Sequence, residues 1–154
     1  MAVTELFAKV REQENFTCRA EGASDREIES MEAKLGVVLP KPYVAFLREF
    51  GYAWWFGHAV FGISDDEEYD ALTYTLEARE EELPEEFEPL PRDGVIVERY
   101  GGGGYYFLYA DDSPRRGQVV LLLDETFWEP EATWNSFEEF LAYLLEDDEL
   151  EDDE

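Results

Sequence analysis

The chain has 154 residues, of which 45% are apolar and 16% aromatic: enough for one domain with its own core, and too apolar for a disordered polymer. Twelve basic side chains stand against 39 acidic ones, a formal charge of −27. A surface this negative repels nucleic acid, anionic membranes and phosphorylated ligands and attracts basic partners, although acidity also serves plain solubility or a salt-adapted host.

Val3, Leu6, Phe7 and Val10 recur at helical spacing and predict a short opening helix. That stretch holds no apolar signal core, and no run nears the roughly 20 apolar residues that span a bilayer, so a soluble, cytoplasmic protein is expected. Cys18 is the lone cysteine, which leaves no internal disulfide and no cysteine-based zinc site. The next helix is better marked. In "SDREIESMEAKLG", Ser24 and Glu27 form a capping-box pair, Ile28, Met31 and Leu35 make an apolar stripe, and Gly36 supplies a left-handed stop. In "LPKPYVAFLREFG", Pro42 suits a first helical turn, Tyr43, Phe46, Leu47 and Phe50 share a face, and Gly51 ends the helix.

Beyond Gly51 the period changes. "HAVFGI" (58–63) reads as a strand, "SDDEEYD" (64–70) as a solvated turn, and "EEYDALTYTLEARE" as a helix facing the core through Tyr69, Leu72 and Leu76. "EEELPEEFEPLPRDG" (80–94) has three prolines and few apolar residues and reads as a surface loop.

Four glycines, 101–104, then separate "VIVERY" from "YYFLYA". A phosphate-binding loop would need a lysine and a hydroxyl next, and both it and a dinucleotide turn would open a helix. Tyr105, Tyr106 and Phe107 favour a strand instead, so the glycines are the turn of a hairpin. After the turn "DDSPRRG", the apolar run "QVVLLLD" reads as a central strand. "SFEEFLAYLLE" closes the fold with a second capping box, Ser136 to Glu139, and a stripe of Phe137, Phe140, Leu141 and Leu144. The order predicts a single α+β domain over residues 1–146, a mainly antiparallel sheet with helices packed against it. Residues 147–154 are expected to be a disordered acidic tail. "EDDELEDDE" (146–154) carries eight acids, and taking those eight charges from −27 leaves −19 on residues 1–145, the folded body ahead of it.

Catalytic, cofactor and metal sites are not expected. His58 is the only histidine, no nucleophile-elbow serine accompanies it, and a Cys18–His58 pair has nothing in its flanking sequence to support it. A partly buried structural histidine is the plainer reading. "SDDEEYD" lacks the glycine and spacing of an EF-hand loop. Trp54, Trp55, Trp128 and Trp134 read either as core or as an aromatic binding surface.

"IESMEAKLGVVLPKPYVAFLREFG" resembles the signature of the SUKH superfamily, which includes the Smi/Knr-type fungal cell-wall regulators and many bacterial immunity proteins. Its elements are Leu35-Gly36, Leu39-Pro40, Tyr43, Phe46-Leu47 and Phe50-Gly51, the last in place of the usual Asn-Gly. The glycine hairpin, "GQVVLLLD" and "TWNSFEEFLAYLL" follow in the family's order, so the resemblance spans roughly residues 24–146. It implies an α+β fold without catalysis, and an antidote that binds and blocks a cognate toxin. Many such toxins are nucleases or nucleic-acid deaminases with basic surfaces. A body at −19 matches that expectation independently, since it can imitate a nucleic-acid backbone. The expected contact surface is Trp54 or Trp55 as anchor, with Asp65, Asp66, Glu67 and Glu68 pairing the partner's Lys and Arg. A monomer or weak dimer is expected. The alternative is a non-catalytic Smi/Knr-like regulator or scaffold for basic partners.

Overall fold

Helices α1 (Val3–Arg11), α2 (Asp25–Leu35) and α3 (Lys41–Phe50) open the computed structural model, which describes residues 3–80, 90–101, 103–123 and 129–152, with side chains as far as 146. Each buries its expected stripe: Leu6, Phe7 and Val10, then Ile28, Met31 and Leu35, then Tyr43, Phe46, Leu47 and Phe50. The α2 capping box is complete. Glu27 N–H donates to Ser24 Oγ at 3.2 Å and Ser24 N–H to Glu27 Oε1 at 3.0 Å. Gly36 closes the helix in the left-handed region at φ 72°.

The architecture is α+β, as expected, but its strands form two antiparallel sheets. The smaller holds β1 (Thr17–Cys18), β2 (Ala53–Trp55) and β3 (His58–Val60), in that order. Neither β1 nor β2 is legible as a strand: at two and three residues they have too little pattern. The expected strand 58–63 stops at Val60, where the chain turns to meet the second sheet.

That second sheet runs β4 (Gly94–Tyr100), β5 (Gly104–Tyr109), β6 (Val119–Leu123) and β7 (Pro130–Trp134). The apolar β6 lies between two strands, as its run implied. The glycines do form a hairpin. Gly103 has φ 97°, its N–H donates to Tyr100 at 3.1 Å, and a side chain on Gly104 would run into the Leu122 carbonyl. Gly102, most of the Pro-rich stretch (81–89) and Trp128 lie outside the described residues. β7 went unread because Pro130 and Glu131 spoil its alternation, which an edge strand tolerates.

Two helices cover this sheet. Tyr105 and Tyr106 point to opposite faces. Tyr106 packs 5.1 Å from Phe140 of α5 (Phe137–Asp152), while Tyr105 lies beside Tyr74 and Ala78 of α4 (Ala71–Glu80). The helix read through Tyr69, Leu72 and Leu76 is corrected. Residues Glu67–Tyr69 form a 3-10 turn, Asp70 caps α4 by accepting from Thr73 N–H at 3.1 Å, and Ala71, Thr75 and Ala78 face inward. Small side chains let α4 approach β4 closely, and the Thr75 hydroxyl accepts Ile96 N–H at 2.9 Å. Leu72 and Leu76 are only partly buried. In α5, Phe137, Phe140, Leu141 and Leu144 are buried, and Glu139 N–H donates to Ser136 Oγ at 3.1 Å. The reciprocal bond shifts by one residue, because the Glu139 carboxylate takes Asn135 N–H at 2.8 Å.

The two sheets meet at Phe61. β4 skips register between Ile96 and Glu98, leaving Val97 as a bulge whose carbonyl accepts Phe61 N–H at 2.7 Å. The Phe61 carbonyl accepts the hydroxyl of Tyr43, a fully buried side chain on α3, also at 2.7 Å. Next to it, Gly62 packs so tightly that a Cβ there would overlap the Gly51 carbonyl and Leu47.

Tyr43→Phe should therefore strand a buried carbonyl and lower unfolding free energy by about 1–3 kcal/mol, read from urea denaturation. Gly62→Ala should cost more, since backbone rather than a flexible side chain must move. Unchanged denaturation midpoints would show that Phe61 is not the joint described.

Candidate functional site

The β2–β3 hairpin pairs Ala53 with Val60, Trp54 with Ala59 and Trp55 with His58. Alternation along β2 turns Ala53 and Trp55 into the core, at 0% and 1% exposure, and Trp54 outward. Trp55, one of the two expected anchors, is a core residue and cannot meet a partner in the folded state. Trp54 is half-buried. The hairpin instead offers Phe56 at its tip, 63% exposed, with its N–H donating to the Glu14 carbonyl at 3.1 Å. Sequence reasoning missed Phe56, although a large ring followed by Gly57 at a strand reversal was the available signal.

The acidic turn is self-ordered. Ser64 Oγ accepts Asp66 N–H and Asp66 Oδ1 accepts Glu68 N–H, both at 3.0 Å. Asp65, Asp66, Glu67 and Glu68 are all exposed.

Between this turn, the hairpin and α4 lies an open cleft of about 450 Å³. It brings together two expected residues, Trp54 and Glu68, and places them with His58, Tyr69, Tyr74, Glu98 and Arg99. Asp65, Asp66 and Glu67 stand on the turn beside it. The walls are preorganised by stacking. Tyr69 lies 5.0 Å from Tyr52 at an interplanar angle of 3°, and Tyr74 lies 4.6 Å from Phe61 at 9°. The Arg99 guanidinium sits 5.9 Å from the Tyr74 ring centroid.

Glu98 is the unusual group. The bulge at Val97 aims it at the hairpin, where Ala59 N–H is 3.5 Å from Oε1. The residue keeps some exposure, but its Oε2 is buried and meets no donor among the described residues. Burial pushes the carboxyl up to about 8, and the distant Ala59 N–H offsets this only in part. Its signal in the sequence was an acid interrupting the apolar run "VIVERY".

Cys18 and His58 are not brought together as a pair. Cys18 on β1 and His58 on β3 are separated by β2 and offset by two residues along the strands, about 12 Å between backbones. Burial raises the Cys18 thiol, the opposite of activation. Among the described residues no three His, Cys, Asp or Glu side chains gather as a metal-holding group, and no helix is long and apolar enough to cross a membrane.

A carboxyl whose folded pKa lies above its unfolded value favours folding below the unfolded value and loses that contribution as pH rises through the folded one. Between about pH 5 and pH 9, Glu98→Gln should therefore melt increasingly above the wild type as pH rises. Parallel melting curves across that window would show Glu98 to be ordinarily solvated.

No curated protein matches the chain. The model of the SMI1 / KNR4 family (SUKH-1) matches residues 22–143, from the approach to α2 into α5, and so encloses the joint at Phe61 and the whole cleft. A match over most of its length shows that the chain belongs to the SMI1 / KNR4 family, SUKH-1.

Proposed function

We propose that this protein is a cytoplasmic, non-catalytic immunity protein. It binds and blocks a toxin with a basic surface, of the nuclease or nucleic-acid-modifying kind. The observation that carries the reading is an exposed aromatic at the tip of the β2–β3 hairpin, Phe56, together with an exposed acidic turn, Asp65–Glu68, whose Glu68 lines the same cleft as Trp54 and Gly57 of that hairpin. Family membership supports it, and so does the charge of −27, which steers a basic partner at long range.

The division of labour follows from burial. Exposed carboxylates act before contact: they speed encounter, lose influence with salt, and contribute little once the complex has formed. A large ring with water on most of its surface acts after contact, because docking removes that water. Phe56 takes the anchoring role first expected of Trp55, with Trp54 beside it.

The test is surface-immobilised toxin from the neighbouring gene, with association and dissociation rates measured across a salt series. Replacing Asp65 and Asp66 by Asn and Glu67 and Glu68 by Gln should slow association at low salt and approach wild type at high salt. Phe56→Ala should speed dissociation by about tenfold to a hundredfold with little effect on association. Folded variants that all bind and protect like wild type would remove this face from consideration.

A further inference from the structure

We infer that the cleft between the β2–β3 hairpin and α4 receives one arginine side chain of the protein partner, its guanidinium held against Glu98 and between the aromatic walls. This deepens the immunity reading and rests on it for whose arginine it is.

The first observation is Glu98 Oε2, buried at the cleft without a donor among the described residues. A buried carboxylate is costly to leave unpaired, and a cation carrying N–H donors supplies both the missing charge and the missing hydrogen bonds. The second is the wall. Tyr69 is held flat by the ring of Tyr52 behind it, and Trp54 adds a second surface. Flat aromatic faces suit a planar, weakly hydrated guanidinium better than a compact ammonium. The protein already shows this chemistry at the rim, where Arg99 lies against Tyr74. The third is charge. Among the described residues Arg99 is the one Lys or Arg lining the cleft, while Glu68 lines it and Asp65, Asp66 and Glu67 flank it, so an incoming positive charge is favoured. A cleft of about 450 Å³ open to solvent is large enough for a long side chain.

The probe is capped arginine amide, titrated into the full chain with no toxin present. Binding is read by two-dimensional NMR at the Ala59 amide and the Trp54 indole N–H. Capped arginine should give saturable shifts at both, capped lysine weaker ones, and the uncharged isostere, capped citrulline, none. Glu98→Gln keeps the shape of the side chain and should weaken arginine binding about tenfold or more. Equal shifts from citrulline, tighter binding of lysine, undiminished binding by Glu98→Gln, or no saturation at tens of millimolar would each overturn the inference. The immunity reading fails separately: a chain that binds capped arginine but protects against no toxin removes that reading and leaves the cleft's chemistry standing.

Discussion

The backbone of one residue, Phe61, holds the architecture together. The N–H of Phe61 bonds the Val97 carbonyl and its own carbonyl accepts the Tyr43 hydroxyl, so small sheet, large sheet and helical layer meet at a single residue. The bond to Val97 exists because β4 carries a bulge: an extra residue is released from pairing with β5 and its carbonyl turns outward. The same bulge re-aims the next side chain, Glu98, toward Ala59. Joint and cleft are therefore two consequences of one register shift.

The family signature acquires a physical meaning in this light. Leu35 and Gly36 end α2, Pro40 leads into α3, and Tyr43 then stands one turn in, placed to reach Phe61. Leu39 is tied back to α2 by its N–H, which donates to Glu32 Oε2 at 2.8 Å. The departure at residue 50 is absorbed in the same way. Where the family pattern has a polar residue, Phe50 is fully buried, with the rings of Phe7, Phe46 and Phe16 within 5.2 to 5.6 Å and the Arg11 guanidinium 4.8 Å above it. Gly51 keeps its place because its backbone sits at φ 75° and a Cβ there would crowd the Arg19 side chain and the Ile63 carbonyl.

The candidate surface divides its tasks by depth. On the exposed turn, carboxylates are solvated and cheap to hold, and they act through the field they create. Inside the cleft, Glu98 is a liability to the isolated fold, since its burial disfavours the charged form. Such local conflict is common where a surface is shaped for binding.

Some features were determined by residues only a few positions apart, and these were legible in the sequence. The Ser24–Glu27 box, the stop at Gly36, the buried stripe of α3 and the glycine hairpin all depend on neighbours within a turn or a strand reversal. Charge and family membership are likewise properties of the chain itself. Tertiary structure alone decided which of two adjacent tryptophans faces out, because the parity of a three-residue strand is set by its partners Thr17–Cys18 and His58–Val60. It also decided that α4 buries Ala71, Thr75 and Ala78 rather than its leucines, since close approach to β4 rewards small side chains over large ones. The cleft was invisible for the same reason: Glu98 and Ala59 lie 39 residues apart, and only packing at the Val97 bulge brings them together.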